Sequence, residues 1–297
     1  MIEILFQKAY NIEAVMQPQA TIEQRQRRTM RLLRDYVDKL PVTTVTARAL
    51  RTLPAANLPD ELESLAAKDP MLAVRMLYLS NHKFHSLHHG IISLGSLLSH
   101  VGASEIAQGL PSTVTPSITE CTVLWDHSVH VATVAAHLSQ KLRGSKTSSA
   151  EAYLAGLVHD LGRFIMMVAA PEKSGDVSDR EWRTGEELLA AEQEICGFDH
   201  TTLGWLASRA WNFPDSIAAV CRRHHEWADI EDDAHPALTR DLIRIVGLAD
   251  DIAFSWEEYK DLNAVEQVLR SGETTWSRLS HAPIHLGSSA ELQDLLL

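Results

Sequence analysis

The most restrictive feature of the chain is a dipeptide, His159-Asp160, set inside the apolar run of residues 153–170. Val158, Leu161, Ile165 and Val168 recur at helical spacing, and Leu154, Leu157 and Phe164 cover a second face. The run therefore predicts one helix that is apolar on nearly all sides and sits at the centre of the fold. An imidazole and a carboxylate are costly there unless each has a partner. Two kinds of partner suit them. One is a hydrogen-bonded mate within the core, the simpler reading of a lone His-Asp pair. The other is a metal ion, because neutral imidazole nitrogen and carboxylate oxygen are both good ligands.

Four other places in the chain bear on that choice. His127 shares a helix face with Val131, Val134 and Leu138, at spacings of 4, 7 and 11. His200 stands in the first turn of a helix, ahead of Leu203, Leu206 and Ala207. His224-His225 closes a helix that carries Ile217 and Val220, and Asp250 falls on the side of Ile243 and Val246. Singly, each is more simply structural or exposed. Jointly, five helices offer a His or an Asp toward one interior, which is how helix bundles build metal sites.

Such a bundle agrees with the rest of the chain. Of 297 residues, 45% are hydrophobic but only 6% aromatic, and the alternating, turn-punctuated pattern of sheets is scarce, so the expected fold is all-α. Asp69-Pro70 reads as an N-cap with first-turn proline, Ser93 as a cap ended by Gly102, Gly197 as a stop, and Asp199 as the cap of a helix through residue 211. A capping box at Thr21 and Gln24 predicts a helix through residue 40. Residues 171–179 read as loop and 215–227 as one helix. The tail reads as irregular up to a last helix capped by Ser288 and Glu291. Pro111, Pro116 and their polar neighbours mark a lobe boundary near residues 111–118. The expected organisation is an N-terminal helical extension (1–32), a first helical lobe (33–115), a second lobe with the His/Asp set (116–255) and a C-terminal extension (256–297).

The formal net charge of −12 disfavours non-specific binding to nucleic acid or acidic lipid. Three widely spaced cysteines, Cys121, Cys196 and Cys221, make no disulfide framework and fit a reducing cytoplasm. No run reads as a membrane span or signal peptide, so the expected location is cytoplasmic. The basic face Arg25, Arg27, Arg28, Arg31 and Arg34 reads first as solvated surface and second as a seat for an acidic partner. The histidine-rich stretch 81–89 lacks Cys and carboxylate ligands and is not expected to hold metal.

The order His127, His159-Asp160, Asp250 resembles the H…HD…D signature of the HD superfamily of metal-dependent phosphohydrolases. His200 and His224-His225 resemble the extra ligands of its HD-GYP branch, which hydrolyses cyclic dinucleotides. The fuller match, over residues 33–253, is to the HDOD domain. It rests on Leu40-Pro41, Lys68-Asp69-Pro70, Ile92-Ser93-Leu94, Trp125-Asp126-His127-Ser128, Gly156-Leu157-Val158-His159-Asp160-Leu161-Gly162, Gly197-Phe198-Asp199-His200 and Trp211-Asn212-Phe213-Pro214. The resemblance implies a two-lobed helical fold with an HD-like bundle in its C-terminal lobe, and a bacterial role in signal transduction. It also implies one or two divalent ions (Fe, Mn, Zn or Ni) on His127, His159, Asp160, His200, His224, His225 and Asp250. Arg163, Arg222 and Arg223 are the sequence-adjacent candidates for phosphate. Two departures from HD-GYP stand out: Val123 replaces the acidic residue one turn before His127, and Trp227-Ala228-Asp229 replaces the Gly-Tyr-Pro loop.

Three function classes follow. The leading one is a regulator that works by binding a signalling protein or a nucleotide. The competing one is a metal-dependent phosphohydrolase of nucleotides or cyclic dinucleotides. The third is a metal oxygenase of the kind found among HD-fold relatives.

Overall fold

Local punctuation sets most of the first lobe. The computed structural model describes residues 22–34, 36–53, 57–83, 93–109, 119–142, 145–230, 235–280 and 283–297, and among them there are helices and no strand. Helix α1 is Ile22–Leu33, and a separate 3-10 turn, Val37–Lys39, follows it. The single helix expected through Leu40 is therefore two elements. The carbonyl of Leu33, an orphan at the helix end, accepts from the indole Nε1 of Trp211 at 2.8 Å. The turn then buries Tyr36, Val37 and Leu40, so the apolar spacing is met without a continuous helix. The expected cap Thr21 lies outside the described residues.

Helix α2 (Thr44–Leu50) is capped by Thr43, whose hydroxyl accepts from the N–H of Thr46 at 3.1 Å. Helices α3 (Leu58–Ala67), α4 (Pro70–Lys83), α5 (Leu94–Val101) and α6 (Ala103–Gly109) complete the lobe. Ser93 caps α5 in a reciprocal box with Ser96, and Gly102 ends it at φ 87°. Asp69 does more than cap α4. Its buried carboxylate accepts from the N–H groups of Met71 and Leu72 at 3.2 Å each, from the N–H of Thr43 at 2.8 Å, and from the indole of Trp125 at 3.2 Å. It thus joins α2, α4 and the second lobe. Asp69→Ala strands these donors inside the core, so we expect a loss of about 3 kcal/mol or more. Urea unfolding measures it, and an unchanged midpoint would refute the junction.

The second lobe begins with α7 (Thr119–Lys141) and α8 (Ser149–Val158), the latter capped by a Ser148/Glu151 box. The run expected as one central helix is two, because α8 ends at Val158 and α9 (Leu161–Ala169) starts after a two-residue turn made of His159 and Asp160. Apolar spacing cannot reveal such a turn, since residues on both sides of it still face the core. The run Ser149–Ala169 is apolar enough to pass for a membrane span, yet 83% of its most apolar stretch is buried in the protein.

Residues 171–179 are not loop: Pro171 sits in the first turn of α10 (Pro171–Ser178), and Val177 is buried. Helix α11 (Gly185–Cys196) stops at Gly197, whose φ of 85° is the left-handed conformation that glycine adopts freely. Helix α12 (His200–Ala210) is capped by Asp199, which accepts from the N–H of Thr202 at 2.7 Å. The expected helix over 215–227 is α13 (Asp215–Arg223) followed by a 3-10 segment, His224–Asp229. Helix α14 (Ala237–Tyr259) runs behind both.

The C-terminal tail is more regular than its sequence suggests. Helix α15 (Leu262–Ser280) buries Val265, Leu269 and Trp276 against the core. Ser288 is the N-cap of α16 (Ser289–Leu296), but its side chain makes no capping bond. The carboxylate of Glu266 accepts from the N–H of Ser289 at 2.8 Å instead, and Glu291 pairs with Lys141 at 2.7 Å.

Packing joins everything around α7, α8 and α14, with α9 against α12 and α12 against both α13 and α1. One continuous apolar core spans both lobes, and the Tyr153 hydroxyl donates to the carbonyl of Ala67 across them at 2.7 Å. The expected lobe boundary at 111–118 lies outside the described residues.

Candidate metal centre

The turn at His159-Asp160 points both side chains into the space between α7, α12, α13 and α14. Asp160 occupies the N-cap position of α9, but its carboxylate makes no cap hydrogen bond. It accepts from Arg163 Nη1 at 3.1 Å and faces the Nε2 atoms of His200 (3.3 Å), His159 (3.7 Å), His127 and His224 (3.9 Å each). Asp250 lies opposite. Its Oδ1 is 3.0 Å from His127 Nε2 and 3.7 Å from His159 Nε2, and its Oδ2 is 3.5 Å from His225 Nδ1. All seven residues singled out in the sequence thus meet in one place. Their ligand-type atoms form three overlapping groups: His127, His159 and Asp250; His159, Asp160 and His224; and His200, His224 and His225.

Four of the imidazoles are held from behind. Nδ1 of His159 donates to the carbonyl of Gly156 at 2.7 Å, and Nδ1 of His224 to the carbonyl of Val220 at 3.1 Å. Nδ1 of His200 bonds to Glu192 at 2.8 Å, and Nδ1 of His127 to Glu257 at 2.9 Å. Anchoring Nδ1 turns Nε2 inward, as in metal-ligating histidines backed by a carbonyl or carboxylate. The acceptor carbonyls fix a proton on Nδ1 of His159 and His224, so in the neutral ring Nε2 is the nitrogen left to act as a ligand.

Those inward nitrogens need a cation. The Nε2 of His159 is fully buried with no hydrogen-bond partner. The Nε2 of His200 is 3.3 Å from that of His224 and 3.2 Å from that of His225, so lone pairs confront one another unless a proton or a metal stands between them. The residues present therefore fit a divalent ion, by donor type, by tautomer and by the unmet atom at the centre.

The electrostatics agree. Burial opposes ionisation of Asp160 and Asp250, yet both lie well below the ordinary carboxylate range. His159 and Arg163 outweigh burial at Asp160, as do the His127 and His159 side chains at Asp250. Burial, then the charges of His225 and His159, pushes His224 well down, and burial takes His225 to about 4. Ionised carboxylates and neutral imidazoles are the protonation states that bind metal. Burial also disfavours charge on His127, but hydrogen bonds to Asp250 and Glu257 prevail and raise it to about 10. The added proton sits on Nε2 beside Asp250, in the place a metal ion would take, so metal binding at His127 has to displace it.

Glu192 and Glu257 were not evident from the sequence. Glu192 lies in a carboxylate-rich helix that reads as solvated, yet it is 1% exposed and also accepts from the N–H of His200 at 2.7 Å. Glu257 had a legible signal: it follows Asp250 by two helical turns on α14, and it joins His127 to His130, at 2.7 Å from the latter. Removing such a backing group typically weakens metal binding by about 10–100-fold. That is the expected effect of Glu192→Ala in a chelator-competition titration; an affinity within about 2-fold of the parent would discount this carboxylate.

A cleft of about 330 Å³ opens onto the site and exposes Asp160, Asp250, His127 and His225 to it. Arg163 lies on its wall, beside Arg183, which the sequence reading missed. The other two predicted arginines do not line it. Arg222 donates to the hydroxyls of Thr201 and Thr202 at 2.7 and 3.0 Å, and Arg223 pairs with Glu226 at 2.7 Å. Val268 and Ser271 of α15 and Tyr259 at the end of α14 also line the cleft. Asp251, next to Asp250, accepts from the Trp227 indole at 2.8 Å; burial, then the charge of Asp250, raises it to about 7.

Residues 38–227 match the HDOD domain family. This chain belongs to the HDOD family. Asp250 and Glu257 lie beyond the matched span of this HDOD protein, so the centre is completed from outside it. The chain is 20% identical over 214 residues to an uncharacterized protein of Treponema pallidum (strain Nichols), covering 69% of this chain and 41% of that one. It therefore spans well under half of that relative's length. The crystal structure of the MmoQ response regulator from Methylococcus capsulatus (strain Bath) superposes with a TM-score of 0.63 at 19% identity, over 87% of this chain and 98% of that one. A virulence factor from Campylobacter jejuni gives 0.61 at 16% identity, over 86% and 96%. At these identities the likeness is one of fold.

Proposed function

We propose that this HDOD protein is a cytoplasmic signalling regulator that holds one or two divalent ions in its HD-like lobe and responds to a protein partner or a nucleotide. The observation that carries the metal is the buried, unpartnered Nε2 of His159, set among two carboxylates and four further imidazoles. The fold it shares with a protein called a response regulator agrees with the signalling part. Five segments contribute to the centre, so an ion there clasps α7, the α8–α9 turn, α12, the end of α13 and α14 together. Anything that alters the site then alters how these helices pack.

Metal-dependent hydrolysis of a phosphate ester is the second reading, and the open cleft beside Asp160 and Asp250 favours it. A bound divalent ion would polarise a phosphoryl oxygen and generate hydroxide near neutral pH. The chain itself supplies Arg163 and Arg183 to take up phosphate charge, while the outer carboxylates hold the imidazoles in place. Cyclic-di-GMP is a poor candidate substrate. Val123, at the position of the missing acidic ligand, is 69% exposed, and no Gly-Tyr-Pro loop shapes a pocket, so positioning is weak.

Metal analysis of protein purified without added metal, followed by a nucleotide-hydrolysis panel, tests both readings. Bound metal without turnover supports the regulator. Robust turnover that Asp160→Ala abolishes makes the enzyme primary, and absence of metal removes both.

A further inference from the structure

A second cavity, about 640 Å³, lies between α1 and the C-terminal end of α12, the helix that begins with His200. Arg27, Arg31 and Arg34 line one side, Arg209 and Asn212 the other, and Tyr78 of α4 adds an aromatic edge. Four guanidinium groups thus surround one concavity in a chain whose Asp and Glu number 39 against 27 Lys and Arg.

Acid partners are plentiful, and elsewhere on the surface they are used. Arg180 pairs with Glu194, Arg223 with Glu226, and Arg270 with Glu266 and Glu273. In the groove Arg209 pairs with Asp215 at 2.7 Å. Arg31 and Arg34 have no carboxylate partner among the described residues. Like charges spaced three and four residues apart on a helix repel, so Arg31 and Arg34 raise the energy of the free protein until an anion neutralises them. The walls are fixed beforehand: the Trp211 indole ties α1 to α12 through the carbonyl of Leu33 at 2.8 Å, and Tyr78 meets Trp211 edge-on at 6.5 Å.

We propose that this groove is a binding site for a compact polyphosphate, a molecule carrying two or more linked phosphate groups. Guanidinium forks match phosphate oxygens in pairs. The stripe from Arg27 to Arg34 extends about 10 Å along the helix, longer than one phosphate requires and suited to a linked series. A concave pocket of a few hundred Å³ suits a small ligand. A long nucleic acid would meet the acidic remainder of the surface and be repelled.

The test is calorimetric titration of the full chain with inorganic tripolyphosphate, alongside an Arg31→Ala/Arg34→Ala double variant and His159→Ala. Both arginines are exposed, so the double variant should keep the parent melting temperature. We expect one saturable site, weakened about tenfold or more in the double variant, unchanged in His159→Ala, and weaker for orthophosphate. Unaltered binding in the double variant overturns the proposal, as does the absence of saturable binding. Loss in His159→Ala alone would move the ligand to the metal-facing cleft. Equal affinity for a polyglutamate peptide would make the groove a protein-docking surface instead and would equally reject a polyphosphate site.

Discussion

His159→Ala protein is expected to purify without the metal proposed for the parent chain, and to be indifferent to chelators. In the parent, an ion bound at about a hundred times its dissociation constant contributes about 2.7 kcal/mol to the folded state. Chelation should therefore lower the melting temperature by roughly 4–5 °C in a chain of this size. The variant removes a ligand that two of the three overlapping groups share, and with it this increment. Its own melting temperature should fall close to that of the chelated parent, because the deleted ring also takes away a buried nitrogen that had no partner. His85→Ala, in the histidine-rich stretch, should retain metal in full. Metal analysis and thermal melts with and without chelator decide it, and a metal-replete His159→Ala protein would end the assignment.

Gly162→Ala should do comparable damage from one added carbon. Residue 162 is in the first turn of α9, pressed against the start of α12, and a Cβ there would overlap the carbonyl oxygen and carbon of His200 and crowd the N–H of Gly204. Both obstacles are backbone, so relief requires moving α12 away from α9. That shift costs about 3 kcal/mol or more and draws His200 out of reach of Asp160, from which its Nε2 now stands 3.3 Å. The expected result is a fall of roughly 5–10 °C in melting temperature together with loss of metal. A variant that melts within a degree or two of the parent would show that the α9–α12 contact is not as close as described.

These two residues mark what the sequence displays and what it conceals. A histidine on an apolar stripe is visible because the stripe tells which way it faces. His127, His200 and Asp250 each stood on such a stripe, and they converge with the His159-Asp160 pair. Helix stops and caps were equally legible at Ser93, Gly197 and Asp199, since the interactions that make them are local. The break between α8 and α9 was not, because the apolar spacing passes through the turn undisturbed. Arg222 and Arg223 misled because adjacency along a helix is not proximity: successive side chains diverge by about 100°, and these two leave the site that His224 and His225 enter. Glu192 was hidden by its acidic neighbours, and α15 by its mostly polar surface. In both cases burial by a distant segment overrode composition.

The metal-facing cleft has a separate consequence for how such a protein can diversify. Four of its lining residues, His127, Asp160, His225 and Asp250, cannot change without dismantling the centre. Part of its lining, Val268 and Ser271, comes from α15, which lies past the matched HDOD span and supplies none of the ligand-type residues. Reshaping that part of the lining alters which molecules fit while leaving the donor atoms untouched. New selectivity can therefore be acquired by drift in the C-terminal helix, with the chemistry beneath it inherited intact.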